Sequence, residues 1–394
     1  MNEEQYINEL TKCIHCGTCK AYCSTYESDS EESLGARGRL ALLYGLNKGQ
    51  LIPSNSICEK IFSCTLCGAC SPQCPLGIDI KEIIYKGRII LRKHDSSRKL
   101  LRFISKFFIN HPLISFRFLN LSQHVFLPYL NKKDILPFKL TIPEHRLKDK
   151  LQVVTVPQKK GRVAIFTGCT TNFLYPYLGK SLINVLRILG YEIILPRGEV
   201  CCGTPLRALG MEKEAIWLAE KNYELFTKLN VQAVLSLCPT CTLALKSEYP
   251  KMIGKGIDYS YDISEFLLDR LYFTEKMENI PYSRVIYHDP CHLKYGLGVT
   301  NEPREILRKA GIDLIKTKES KCCGFAGTFC FSNKSLSKNM LETCINYYNR
   351  YEFETLVTSC PGCILYLSQK VTNKKVVHLI EVIESMFYKK SQAL

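Results

Sequence analysis

Apolar runs of the length a bilayer-crossing helix needs, about 18 residues, are absent from this sequence, so no transmembrane helix is expected. The opening residues Met1-Asn2-Glu3-Glu4-Gln5 are acidic and lead into no apolar stretch, so no secretory leader is expected either. Nucleotide signatures are missing as well. No G-x4-G-K-[ST] loop occurs, and Gly296-Leu297-Gly298 lacks the third glycine of a dinucleotide fingerprint. Neither flavin nor NAD is therefore expected on this chain. Acidic residues vanish between Ser96 and Lys133, a stretch that carries Arg98, Lys99, Arg102, Lys106, Arg117, Lys132 and Lys133. Interleaved with Phe103, Phe107, Phe108, Phe116, Phe118, Phe126 and Tyr129, these cations can lie in a membrane interface, apolar side down. The same composition suits a connector packed against both neighbouring domains, with its cations facing solvent or the acidic surroundings of clusters. Pro112, Pro128 and Pro137 interrupt any long amphipathic helix and favour the connector.

The chain of 394 residues is long enough for two or three domains with real cores, and its 46% hydrophobic and 23% charged residues are ordinary for a globular protein. What stands out is 21 cysteines. Without an export signal, metal or redox chemistry in a reducing cytosol explains them better than disulfides. The formal charge of +16 counts every thiol as neutral. Metal-bound thiolates would lower it by about 10, so the basic excess reads as counter-charge and not as a nucleic-acid footprint.

Ten cysteines form two copies of one pattern: a lone Cys, an adjacent pair before Gly, then C-x2-C. The first copy is Cys169, Cys201-Cys202-Gly203 and Cys238-Pro239-Thr240-Cys241. The second is Cys291, Cys322-Cys323-Gly324 and Cys360-Pro361-Gly362-Cys363, at a nearly constant offset. Five thiolates at such fixed separations imply a group larger than one zinc ion. Ahead of them lie Cys13-x2-Cys16-x2-Cys19-x3-Cys23 and Cys64-x2-Cys67-x2-Cys70-x3-Cys74-Pro75. Three cysteines at two-residue intervals wrap three corners of a cube, and the fourth ligand comes from afar. By that logic Cys13, Cys16 and Cys19 join Cys74 on one [4Fe-4S] cluster, and Cys64, Cys67 and Cys70 join Cys23 on a second. Zinc needs only four tetrahedral ligands and does not favour a repeated triplet. Cys58, Cys330 and Cys344 remain, and are expected to be buried as small hydrophobes, with Cys330 the one to watch because it follows Cys323 closely.

Other residues near the cysteines carry two readings each. His15, His288 and His292 either tune a cluster through hydrogen bonds to sulfur or satisfy local backbone groups. Arg37 and Arg39 either offset cluster charge or sit on a solvated face. His378 reads as a helix-start residue.

Residues 1–98 read as a helical ferredoxin domain, because the spacer between Cys23 and Cys64 is too long for a compact β-rich one. Ala36–Leu43 is a helical stretch within it and Ile80–Leu91 its closing helix. Residues 99–159 form the basic, aromatic-rich connector. Residues 160–280 and 281–394 then alternate strand and helix in tandem. Val163–Phe166 and Val285–His288 deliver the lone cysteines, Glu192–Leu195 and Asp313–Ile315 follow the first helices, and Ala233–Leu237 and Thr355–Thr358 feed the C-x2-C motifs. The fold expected is an α-helical ferredoxin domain followed by a tandem-duplicated α/β domain with short parallel sheets.

Cys13-Ile14-His15-Cys16-Gly17-Thr18-Cys19, Ala36-Arg37-Gly38-Arg39, Asp289-Pro290-Cys291-His292 and Cys322-Cys323-Gly324-Phe325-Ala326-Gly327-Thr328 carry a resemblance that covers essentially the whole chain. It resembles the cysteine-rich CCG-domain proteins: the iron–sulfur subunits of glycolate oxidase and anaerobic glycerol-3-phosphate dehydrogenase, and the catalytic subunits of heterodisulfide reductase. The resemblance implies two [4Fe-4S] clusters in the ferredoxin half. It further implies one or two non-cubane [4Fe-4S] clusters, held by Cys169, Cys201, Cys202, Cys238 and Cys241 and by Cys291, Cys322, Cys323, Cys360 and Cys363. The oxidase-type subunits tend to keep a degenerate first copy, whereas this sequence keeps all ten cysteines, as the reductase does. Two functions are therefore expected. In one, the chain is the electron-transfer subunit of a glycolate or D-lactate dehydrogenase, working beside an FAD-binding subunit and passing electrons to quinone or another carrier. In the other, it reduces a disulfide on its five-cysteine sites. Either would be cytoplasmic, with possible peripheral contact with the membrane, and no nucleic-acid partner is expected.

Overall fold

The computed structural model describes residues 3–149, 153–271 and 280–387. Helices Glu3–Thr11, Ser24–Asp29, Ala36–Asn47, Asn55–Phe62 and Ile80–Leu91 build the N-terminal part, and among its described residues there is no strand. Two of these helices are started by side chains: Ser54 accepts from the Ile57 N–H and Asp79 from the Glu82 N–H. The helices close over Leu40, Leu43, Ile61, Phe62, Ile83 and Ile84. Gly38 lies so close to the Glu32 backbone that a Cβ there would stand 2.1 Å from its carbonyl oxygen.

Two α/β units follow. In the first, β1 (Val153–Val154), β2 (Gly161–Ile165), β3 (Tyr191–Ile194), β4 (Ala233–Ser236) and β5 (Ser260–Asp262) pair in the order β1-β3-β2-β4-β5. Only the edge strand β1 runs antiparallel. The second unit is leaner: β6 (Val285–His288), β7 (Thr355–Thr358) and β8 (Lys375–His378) form a parallel sheet. The strand expected at Asp313–Ile315 is reduced to a single bridge between Val285 and Leu314. The sheet there needs only two backbone bonds, Val285 N–H to Asp313 and Ile315 N–H to Val285.

Each unit ends with a strand, a capping residue and a helix, a third repeat that the cysteine pattern does not mark. Asp262 caps Ile263–Leu267 and His378 caps Leu379–Ser385, each in a reciprocal capping box. These closing helices are exchanged. Leu379–Ser385 packs on Pro176–Ile188 of the first unit, with Asn184 donating to Glu384 at 2.7 Å. Ile263–Leu267 packs on Glu302–Lys309 of the second. Leu182, Leu186, Ile263, Ile306, Ile380 and Ile383 therefore belong to one core that crosses both units. Each such side chain contributes roughly 1.5–3 kcal/mol when fully buried, so the two units hold one another in a fixed relation.

The connector divides into three short helices, Lys99–Asn110, Pro112–Ser122 and Phe126–Lys132, the second begun by Pro112. Its inner side does pack on its neighbours: Leu101 and Ile109 join the core of the first unit, and Phe138 meets Phe325 and Phe331 of the second. Lys99, Lys106, Arg117, Lys132 and Lys133 are exposed, and the other two cations of the stretch are not. Arg98 and Arg102 are buried against Asp95, and Arg102 also donates to the Leu209 carbonyl. No helix among the described residues is long and apolar enough to cross a membrane.

Candidate metal centres

Cys13, Cys16, Cys19 and Cys74 line one cavity of about 340 Å3, mouth included, with His15 and Arg37 at its wall. Cys23, Cys64, Cys67 and Cys70 line a second of about 400 Å3, with Arg39 and Lys81. Four thiols facing each space form the donor set of a four-cysteine iron–sulfur cluster. The chain folds these eight cysteines into the same two foursomes that their spacing suggests. Both loops turn by the same device. His15 and Leu66, each just before the second cysteine of its triplet, take positive φ of 57°, and Gly17 and Gly68 follow at 86° and 80°. A buried leucine in that conformation is strained, and such strain collects at functional sites.

The two arginines beside the cysteines have separate roles. Arg39 is buried, donates to the Lys60 carbonyl at 2.8 Å and to Thr25 and Ser63, and brings Nη1 to 4.0 Å from Cys23 Sγ. Arg37 lies nearer the surface, paired with Glu32 and donating to the His15 carbonyl. Burial pushes the Cys67 thiol up to about 12, with Cys322 and Cys64 adding to it. Burial likewise raises Cys19 to about 11, helped by Cys13 and Cys23. Thiolates crowded in such places repel one another, and a cationic iron–sulfide core relieves the repulsion, so the donor set fits a cluster.

The five-cysteine sets lie where β2, β4, β6 and β7 give way to loops. Cys169 and Cys291 each open a π-helical turn, Thr170–Leu174 and His292–Leu297. Cys238 and Cys360 each cap a helix that Pro starts. Gly203 and Gly324 have φ of 87° and 80°, and a Cβ on Gly324 would stand 2.6 Å from the Ser337 carbonyl oxygen. Only glycine fits after the cysteine pair. Sulfur contacts then run without a break through Cys169, Cys201, Cys202, Cys241 and Cys238. They run likewise through Cys291, Cys322, Cys323, Cys363 and Cys360, with Cys323 and Cys363 sulfurs 3.5 Å apart. Cys238 also meets Cys360, so the ten thiols form one row. Hydrogen bonds from Cys201, Cys241 and Cys291 hold Cys202, Cys238 and Cys322 well below the usual thiol range. A thiol of that kind is the readier metal ligand.

The row does not stand alone. The charge of Cys322 raises the affinity of Cys67 for its proton, and that of Cys67 does the same to Cys291. His292 spans three parts of the molecule, with Nδ1 2.8 Å from the Thr240 hydroxyl and Nε2 3.1 Å from the Leu66 carbonyl. Because a carbonyl only accepts, Nε2 carries the hydrogen and Nδ1 accepts from Thr240. His378 acts similarly: its Nδ1 accepts from the Ile380 N–H while Nε2 donates to the carbonyl of Leu237, the residue before Cys238. It is the helix-start residue expected, and a brace for the other unit as well. His288 is buried, with Nδ1 2.9 Å from the Tyr348 hydroxyl and a ring nitrogen within 4.8 Å of the Cys323 and Cys363 sulfurs. Burial brings it down to about 4, so the ring is neutral. His15 is exposed. Cys58, Cys330 and Cys344 are fully buried and burial raises all three, which fits small hydrophobes.

Sequence reasoning missed the charge cluster that docks the ferredoxin part on the first unit. Glu248 pairs with Lys81 at 2.7 Å and Arg207 at 3.7 Å, and Arg207 also pairs with Glu82. All four are largely buried. Lys81 and Glu82 lie on Ile80–Leu91, Arg207 on Thr204–Ala208 and Glu248 in the turn Ala244–Glu248, so the partners are far apart in the chain and leave no periodic trace.

Residues 9–78 match the model of the 4Fe-4S dicluster domain, and residues 163–246 and 285–368 each match that of the cysteine-rich CCG domain. The chain is 25% identical to the probable glycolate oxidase iron-sulfur subunit of Bacillus subtilis, over 95% of its own length and 93% of that protein. It is 28% identical to one of the subunits of the dihydromethanophenazine:CoB–CoM heterodisulfide reductase of Methanosarcina barkeri, over 92% of this chain and 89% of that one. A crystal structure of a hypothetical protein from Helicobacter pylori shares the fold, with a TM-score of 0.55 at 12% identity, over 100% of this chain and 74% of that chain.

Proposed function

Because the chain belongs to the cysteine-rich CCG-domain iron–sulfur proteins, we propose that it is the iron–sulfur subunit of an FAD-linked 2-hydroxy acid dehydrogenase. Glycolate or D-lactate is the substrate of the partner subunit, and quinone or another carrier takes the electrons. Cys13, Cys16, Cys19 and Cys74 would hold one [4Fe-4S] cluster and Cys23, Cys64, Cys67 and Cys70 another. Cys169, Cys201, Cys202, Cys238 and Cys241, and Cys291, Cys322, Cys323, Cys360 and Cys363, would each hold a further, non-cubane one. When bound, such clusters take up and release single electrons, which leaves the two-electron oxidation of an organic substrate to the partner's flavin.

The observation that carries this reading is the order of the four cysteine sets. The charge of Cys23 reaches Cys19, that of Cys322 reaches Cys67 and that of Cys67 reaches Cys291, while Cys360 and Cys238 share a hydrogen bond. The row begins at the exposed Cys16 and ends at the exposed Cys169, while most cysteines between are buried or half-buried. A row with two open ends and a sheltered middle suits passage between two partners. Arg39 sets a fixed positive charge beside Cys23, and His292, next to Cys291, ties the loop of Cys64 and Cys67 to the first C-x2-C motif. The test is co-purification with a flavoprotein and glycolate- or lactate-dependent dye reduction by the pair, with about 16 Fe per chain if all four sites are filled. A chain that retains its iron, binds no flavoprotein and supports no such reduction rules the reading out.

A second reading rests on the completeness of both five-cysteine copies and on Cys169 being open to solvent. A disulfide substrate could approach there, as the heterodisulfide reductase likeness suggests. Reoxidation of the dithionite-reduced protein by a disulfide favours this alternative, and none is expected from a conduit.

A further inference from the structure

The three connector helices turn the more apolar side outward. In Lys99–Asn110 the exposed Leu100, Phe103, Ile104 and Phe107 stand at i, i+3, i+4 and i+7, one face of a helix. Ile114, Phe118 and Leu121 repeat the pattern on Pro112–Ser122, and Val125, Phe126 and Tyr129 continue it. These are not residues grazing the surface: Phe103 is 70% exposed, Leu121 79% and Val125 81%. The faces adjoin, since the Phe118 and Phe126 rings meet edge-on at 6.2 Å. Soluble monomers rarely leave so broad an apolar surface uncovered.

Charge decides what covers it. No Asp or Glu occurs from Ser96 to Lys133, while Lys99, Arg117, Lys132 and Lys133 are exposed around the face. Lys106 is drawn off by Glu214 of the first unit at 3.1 Å. A protein-facing surface is depleted of lysine at its core, and a water-facing one carries both signs. Apolar side chains interleaved with cations, in a stretch that itself holds no acid, match the boundary of an anionic bilayer. The helices are too short to span one, so they would lie along it.

We propose that the outer face of helices Lys99–Asn110, Pro112–Ser122 and Phe126–Lys132 docks on an anionic phospholipid bilayer. The position is informative, because Phe116 of the second helix stacks on Phe173 at 4.3 Å, in the turn that Cys169 opens. Docking therefore sets the Cys169 end of the cysteine row on the part of the molecule that the lipid-facing helices grip. The proposal does not depend on the identity of the electron donor, and its test needs no turnover.

Flotation of the purified, iron-loaded full chain with vesicles of phosphatidylcholine plus phosphatidylglycerol tests it. The chain should float with them, and about tenfold less with phosphatidylcholine alone or at high salt. Leu100→Ser/Phe103→Ser/Phe107→Ser should lose about tenfold or more of the binding while keeping iron content and visible spectrum. Lys99→Gln/Arg117→Gln/Lys132→Gln/Lys133→Gln should lose the dependence on phosphatidylglycerol. Failure of the parent chain to float, or equal flotation of the serine variant, overturns the proposal. So does a dimer seen by size-exclusion chromatography that the serine variant abolishes without any flotation, since that assigns the face to a second copy of the chain.

Discussion

The two five-cysteine units share a sulfur pattern and its glycine and proline turns, and differ in the side chains beside their lone cysteines. At the step of the strand where the first carries Phe166, the second carries His288, and where the first has Thr170 after its lone cysteine, the second has His292. The first keeps five strands and leaves Cys169 exposed; the second keeps three and turns Cys291 toward Cys67. Duplication has therefore preserved the donors and reassigned the neighbours. Both units meet the ferredoxin part, but the second turns its lone cysteine toward it, while the first leaves its own exposed beside the turn on which the connector's Phe116 stacks. Removing the matched cysteines is the harshest way to break this comparison. Cys291→Ala and Cys169→Ala should each lower iron by about four per chain. Only Cys291→Ala should also stop the first unit from being reduced by way of the ferredoxin part, followed by low-temperature EPR. Equal behaviour of the two variants would erase the distinction.

The units also differ in how they grip the ferredoxin part. The first does so through buried charge at Glu248, Lys81 and Arg207, the second through the more open Lys321–Glu27 pair and a hydrogen bond from Asn333 to the Phe62 carbonyl. Removing one partner of a buried pair leaves the other charge stranded, at a cost of about 3–5 kcal/mol. Glu248→Gln should fall at the low end of that range, because Glu82 still serves Arg207. Lys321→Ala should cost about 1 kcal/mol or less, as exposed pairs do. Anaerobic thermal melts compare the two. The pH dependence has a definite sign. Burial alone would raise the Glu248 carboxyl, but Lys81 and Arg207 outweigh it and hold the group at about 2 against an ordinary 4.5. Its contribution is complete above pH 4.5 and is lost as the pH falls toward 2. Glu248→Gln should flatten stability in that window.

A gentler probe is His292. Alanine there strands the Leu66 carbonyl and the Thr240 hydroxyl, at a cost of about 1–3 kcal/mol, and glutamine should recover part of it. Thr170→Ala, the matched change in the first unit, should cost about 0.5 kcal/mol or less. A His292→Ala chain as stable as its parent would remove the bracing role.

The contrast also explains what could be read in advance. Most of the ligand cysteines sit in short motifs, so their spacing showed in the sequence, as did the strands and helices that deliver them. The helical ferredoxin part, with its closing helix Ile80–Leu91, followed from the same spacing. What remained hidden joins residues far apart. The strands β1, β5 and β8 lead into no cysteine motif that would mark them, and the exchanged closing helices depend on apolar faces meeting across the duplication. His292 and His378 were singled out, yet nothing in their flanks tells of Leu66 or Leu237. The acid-free stretch did carry a signal, but the sequence favoured a packed connector. Whether Phe103 and Phe107 point inward depends on which side Leu101 and Arg102 bury, and that is set by the first unit's surface.

The finest test exchanges one neighbour between the units. His288→Phe gives the second site the residue that the first has, while the ten cysteines stay. The histidine is neutral, and its hydrogen bond with Tyr348 fixes the ring beside Cys323 and Cys363. Outer groups of this kind orient sulfur ligands, and their loss typically weakens metal binding by about tenfold or more. The phenylalanine variant should therefore fold normally and load its iron, yet release that of the second unit about tenfold faster to a chelator. Its EPR signature should change for that unit alone. If both units lose iron at the parent rate, the divergence around the sulfurs concerns packing, and the two sites are chemically alike.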